Sequence, residues 1–218
     1  MPNYHQPLLP SNTYHLFTRA IGNEKLFIEE KNYSYFLQKL AFHTFEIADV
    51  LTYSLLPNHI HLLVRIKSFE SIALNFEKVK KRPVDPLLTN ISDFIMERFS
   101  NLLNSYTKSI NKMYKRKGSL FIDYMKRSKV EDNWDLTAFI YYTHKNAVHH
   151  GYASCIGEWK YDGYQSLISE KQTKLLREEL FGWFGGKEQF NAISSTTGEY
   201  VKRLCFVKYK TYKVLETL

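Results

Sequence analysis

The stretch from Val50 to Ile66, VLTYSLLPNHIHLLVRI, decides the fold. Val50–Leu56 reads as a strand, and Pro57-Asn58 supplies turn chemistry, because proline cannot donate to a ladder and asparagine tolerates turn geometry. His59–Ile66, rich in branched residues, reads as a second strand, so the two make an antiparallel hairpin. Side chains alternate along a strand. His59 and His61 therefore share one face, and Ile60, Leu62 and Val64 take the other.

Upstream, residues 1–12 hold Pro2, Pro7 and Pro10 and read as an irregular lead-in. Tyr14–Ile21 reads as a first strand ending at Gly22-Asn23. Between Tyr33 and Ala48 the positions Phe36, Leu37, Leu40, Ala41 and Ile47 follow a helical period. Downstream, Lys67–Lys80 is read as a helix and Lys80–Pro86 as a basic, proline-broken loop. Asn90–Lys117 is predicted as one long helix. Its apolar stripe runs from Phe94 to Ile110, its basic stripe is Lys108, Lys112 and Lys115, and Gly118 stops it. Leu120–Val130 is expected to return to the sheet. Asp132 or Asn133 then caps a helix from about Trp134 to Val148. Trp159–Leu167 reads as irregular, Glu170–Leu180 as a polar helix, Gly182–Gly186 as a loop and Thr197–Tyr212 as an amphipathic segment. This order predicts an α+β fold with helices on one face of a mostly antiparallel sheet. Residues 1–168 are read as one domain, and 169–218 as a helical C-terminal extension.

The chain has 218 residues and a net charge of +8. A basic balance favours a polyanionic partner, because lysine and arginine release counterions from phosphates. Its 16 Tyr and 15 Phe can fill a core and can also stack on unpaired bases. Cys155 and Cys205 match no zinc spacing and make no disulfide framework. The N-terminus lacks a basic region followed by an apolar one, and no apolar run approaches the ~18 residues of a membrane helix. No membrane association and a cytoplasmic location are therefore expected.

Two clusters can carry chemistry. His59 and His61, ~6.5 Å apart along a strand, can converge on one metal ion that polarises a phosphoryl oxygen; alone, H-x-H is a weak pattern. Tyr142 and Asn146 stand at i, i+4 and share a helical face, with Tyr141 and Lys145 as a neighbouring pair. A phenol with a pKa near ~10 needs a metal or cation beside it to act as a nucleophile, and Asn146 could supply an oxygen to the same metal. Basic residues gather in Lys78–Arg82, Lys108–Lys117 and Lys126–Lys129. Tyr106, Tyr114, Phe121 and Tyr124 are interleaved with them, a pattern suited to a phosphate track with stacking platforms.

Three stretches together resemble the tyrosine transposases of the HUH superfamily, in the group associated with repetitive extragenic palindromes. They are Leu56–Val64 (LPNHIHLLV), Gly118–Phe121 (GSLF) with Lys126-Arg127, and Tyr142–Gly151 (YTHKNAVHHG). Tyr14–Arg19 also fits the family's first strand, and the match spans roughly residues 13 to 167. The resemblance implies a ferredoxin-like antiparallel sheet with the HUH motif on a central strand. It implies that His59, His61 and Asn146 bind a divalent metal, Mg2+ or Mn2+. It implies that Tyr142 attacks a scissile phosphate in single-stranded or hairpin DNA, forming a 5′-phosphotyrosine link. Placement four residues before Asn146 selects Tyr142 over Tyr141. Arg19, Lys108, Lys112, Lys115, Arg116, Lys126 and Arg127 are the expected DNA contacts. The family includes monomers and homodimers. Ala147 replaces the family's usual proline and Thr143 its usual isoleucine; neither change removes a functional group. A catalytically silent hairpin-binding regulator with the same fold is the alternative reading.

Overall fold

The computed structural model describes residues 4–85 and 89–195. One sheet holds β1 (Thr13–Arg19), β2 (Ala48–Leu56), β3 (His59–Ile66) and β4 (Lys126–Lys129) in the order β2-β3-β1-β4. All neighbours are antiparallel. Helix α1 (Glu30–Thr44) joins β1 to β2, while α2 (Phe69–Lys80) and α3 (Ile91–Met113) lie between β3 and β4. That connectivity is the split β-α-β of ferredoxin-like folds. After β4 come α4 (Asn133–His149), α5 (Tyr164–Ile168), α6 (Arg177–Phe184) and α7 (Lys187–Ser195). The expected Thr197–Tyr212 segment lies outside the described residues.

Helices cover both faces of the sheet, not one as expected. On one face Ile60, Leu62 and Val64 of β3 pack with Phe36 and Leu40 of α1 and Phe99, Leu102 and Tyr106 of α3. On the other, Leu63 joins Leu136, Phe139 and Ile140 of α4, Leu180 and Phe181 of α6, and Phe190 of α7. The cause lies in HIHLLVRI itself. A nearly unbroken apolar run marks a strand buried on both sides, whereas a one-sided strand alternates. Leu63 is fully buried, worth about 1.5–3 kcal/mol for such a side chain. Because Leu167, Leu180, Phe181 and Phe190 belong to this second core, the chain beyond the sheet is packed onto α4.

A bulge shapes β2. Val50 pairs with Val64 and Thr52 with Leu63, which leaves Leu51 as the extra residue. An extra residue in one strand shifts the alternation of faces. It places Thr52 opposite Leu63 and Ser54 opposite His61, both on the α4 side.

Other boundaries differ from expectation. The strand expected over Leu120–Val130 is formed only at Lys126–Lys129; ahead of it Phe121 makes a single bridge to Ala20, and the next residues form a loop. Helix α3 ends at Met113, before Lys117, because Lys115 adopts a left-handed backbone (φ 53°) ahead of Gly118. The polar helix expected at Glu170–Leu180 is displaced to α6, which runs through Gly182 and is ended by Gly185 (φ 79°). Helix α5 falls mostly in the stretch read as irregular, and α7 lies inside the span read as a helical extension. Asp132 caps α4, its carboxylate accepting from Asp135 N at 2.8 Å.

Candidate active site

Strand register brings the site together. His61 is opposite Phe17 of β1 and Ser54 of β2, and Arg19 is opposite His59. Residues opposite one another in an antiparallel pair share a face. Helix α4 lies across that face and delivers Tyr142 and Asn146 one turn apart.

Asn146 sits between the two histidines. Its Oδ1 is 2.8 Å from His59 Nε2, and its Nδ2 is 3.3 Å from His61 Nε2. The Tyr142 ring stands edge-on to His61 at 5.4 Å between centroids, and edge-on to His15 at 5.9 Å. Tyr142, His59, His61, Arg19, Lys126 and His150 all line one pocket of about 220 Å³, and the loop of Ile122, Asp123 and Tyr124 forms another part of its wall.

Burial keeps the imidazoles neutral. Desolvation, the largest influence, lowers His59 to about 4; the Asn146 hydrogen bond opposes it, while the charges of His150, Arg19 and His149 add to it. His61 is held well below 6.5, by burial first and then by the charges of His15, His59 and His150. A neutral ring carries one hydrogen and one lone pair. Yet His59 Nδ1 lies 2.8 Å from Asn58 Oδ1, so both ring nitrogens face an amide oxygen. At one of them two lone pairs meet, unless a proton or cation lies between or an amide turns over. If Nδ1 donates to Asn58, then His59 Nε2 and Asn146 Oδ1 both present lone pairs at one spot. Imidazole nitrogen with amide oxygen is a donor set that suits Mn2+ and can serve Mg2+. The described residues contain no group of three or more His, Cys, Asp or Glu arranged for a metal, so an ion held here would need a ligand of another type, and the Asn146 amide is placed to be one.

Not all the expected DNA contacts gather here. Arg19 and Lys126 line the pocket. Arg127 is buried, its guanidinium donating to the carbonyls of Gln6, His5 (2.9 Å) and Met125 (3.5 Å); it ties down the N-terminal segment and is not available to DNA. Arg116 bonds Glu24, Asn111 and Ser119 O. Lys108 and Lys112 are exposed on or near the far end of α3, which packs on the opposite face of the sheet, and Lys115 follows it. Of the interleaved aromatics, Tyr106 and Phe121 are core residues and Tyr114 bonds Glu29 and Asn32; Tyr124 is half exposed at the pocket.

Several site residues were not singled out from the sequence. His15 is fully buried, with Nε2 2.9 Å from His61 Nδ1 and the two rings stacked 5.0 Å apart at 5°. A histidine inside an otherwise aromatic and apolar strand was the available signal, but only the β1–β3 register links it to His61. His150 packs edge-on to His59 at 4.6 Å.

No family model and no curated protein matches this chain. Four chains of solved structures do. One is described as the structure of a REP-associated tyrosine transposase bound to a REP hairpin. It is 10% identical, aligns over 78% of this chain and 87% of its own, and has a TM-score of 0.56. At that identity the likeness establishes a shared fold. No helix among the described residues is long and apolar enough to cross a membrane.

Proposed function

We propose that this protein is a tyrosine transposase-like nuclease of the HUH type that cuts and rejoins single-stranded DNA at hairpins. One observation carries the reading: Tyr142 and both histidines line one pocket, with Asn146 bonded to both rings. The fold shared with a hairpin-bound transposase supports it.

In this reading His59, His61 and Asn146 hold Mg2+ or Mn2+, which when bound polarises a phosphoryl oxygen and stabilises developing charge. Tyr142 attacks the scissile phosphorus through its phenolic oxygen. The new O–P bond links the tyrosine to the 5′ side, and the bond from phosphorus to the 3′ oxygen breaks. The phenol gives up its proton and the departing oxygen takes one up, leaving a free 3′-hydroxyl. Arg19 and Lys126 attract the phosphate and favour the phenolate. Tyr124 and Phe17 offer flat faces to unpaired bases.

The test incubates the protein with a hairpin-bearing single-stranded oligonucleotide and Mn2+. Wild type forms a covalent protein–DNA adduct that survives denaturing electrophoresis, and Tyr142→Phe forms none. An adduct from Tyr142→Phe at wild-type level would remove Tyr142 as the nucleophile. Hairpin binding by wild type that survives chelation, with no cleavage, would instead make the chain a silent binding regulator.

A further inference from the structure

We infer that His15 is a positioning residue: it accepts the Nδ1 hydrogen of His61 and thereby fixes the tautomer that turns His61 Nε2, lone pair outward, to Asn146 and the pocket. The inference deepens the metal-site reading above and rests on it for its consequence, but not for its geometry.

The hydrogen inventory is short. With the Asn146 amide oxygen turned to His59, its nitrogen, a donor, faces His61 Nε2 at 3.3 Å, and in that orientation Nε2 is the unprotonated nitrogen. The single hydrogen of the neutral ring is then on Nδ1, and among the described residues Nδ1 meets His15 Nε2 at 2.9 Å. His15 Nε2 must therefore accept, which places the hydrogen of His15 on its own Nδ1. That atom is buried and has no hydrogen-bond partner among the described residues.

An orphaned N–H in a dry interior is costly, and an orphan calls for an explanation. Leucine or valine would fill the same place on β1 without one. What imidazole provides there is an sp2 acceptor 2.9 Å from the facing nitrogen, on a ring within 5° of parallel to its neighbour's. His15 is also wedged against Phe139 at 4.8 Å and Phe17 at 5.4 Å, so its ring has little room to turn. Metal-binding histidines generally have the second ring nitrogen anchored in this way, and removing the anchor typically lowers metal affinity by 10–100-fold.

The opposite arrangement is chemically possible. His15 Nε2–H would donate to His61 Nδ1, the Asn146 amide would turn over, and His61 Nε2 would carry a hydrogen and no lone pair for a metal. Two measurements on the full chain separate the arrangements. In metal-free protein, long-range nitrogen–proton NMR spectra of the imidazoles are expected to show His61 protonated on Nδ1 and His15 on Nδ1. Calorimetric titration with Mn2+ is expected to show affinity falling about 10–100-fold in His15→Leu. In His15→Gln, whose side-chain carbonyl can accept the same hydrogen, much of the affinity returns. A His61 protonated on Nε2 in the wild type overturns the inference. So does His15→Leu binding Mn2+ as tightly as wild type while keeping its thermal transition. If wild type binds no Mn2+ at all, the metal-site reading falls, and the tautomer alone then decides the role of His15.

Discussion

Asp162 is buried beside Ser54, on the edge of β2 away from His61. Its Oδ1 accepts from Tyr164 N at 2.9 Å, and its Oδ2 has no partner among the described residues. Burial pushes its carboxyl up from 3.8 to about 7, against the opposing hydrogen bond from Tyr164. The folded protein thus keeps this proton up to about pH 7, while the unfolded chain releases it near 3.8. Over that window unfolding releases a proton, so this group lowers stability as pH rises, and the penalty is complete above pH 7. Asp162→Asn keeps the acceptor for Tyr164 and removes the charge. Measured by urea unfolding, the variant should gain about 2–3 kcal/mol on wild type between pH 5 and pH 8; parallel pH profiles would show that the carboxyl titrates normally. Asp162 also marks the limit of what residues reveal on their own. His59, His61, Tyr142 and Asn146 were legible because each pair sits within one element, where spacing gives the face. Asp162 and His15 gain their meaning from partners on other strands, and pairing register is not written in local periodicity.

Between elements, the contact that admits least change is the approach of Gly163 to β2. Gly163 N donates to Tyr53 O at 2.8 Å, and Leu55 N donates to Tyr161 O at 2.9 Å, so residues 161–163 extend the sheet edge. A Cβ on Gly163 would fall inside the contact radius of Thr52 Oγ1 and 3.1 Å from Tyr53 N. Thr52 Oγ1 in turn lies 2.6 Å from His144 Nε2 on α4. Gly163→Ala must therefore push this edge away or shift Thr52 against α4, and is expected to cost about 1–3 kcal/mol. Chemical denaturation reads it; an unchanged midpoint would mean the edge yields freely. The hairpin, its turn and the capped helices α3 and α4 were visible in the sequence because local chemistry specifies them. The bulge at Leu51, the shortness of β4 and the place of α6 were not. A bulge looks like any apolar residue in a strand, and β4 is short because the pairing of Phe121 with Ala20 is broken by the loop at 122–125 before it resumes at Lys126.

Among the described residues, basic side chains stand on both sides of the sheet, Arg19 and Lys126 at the pocket and Lys108 and Lys112 on α3. If DNA occupies the pocket, Arg19 and Lys126 count toward phosphate neutralisation, while Lys108, Lys112 and Lys115 count much less. Replacing Arg19 and Lys126 with alanine should reduce the slope of log affinity against log salt by about 2 for a hairpin oligonucleotide. Replacing the three lysines should leave it nearly unchanged. The reverse result would move the binding face to α3. The two-sided sheet also has a consequence for synthesis. His61 and Asn146 are separated by 85 residues, an interval on the order of ten seconds at ordinary translation rates. Throughout that interval a nascent chain carries its histidine strand with neither the tyrosine nor the amide that completes the pocket. Whatever chemistry the pocket performs, no half-made copy can begin it, and the bare face of Leu63, His15 and His61 is what a chaperone would meet until α4 emerges.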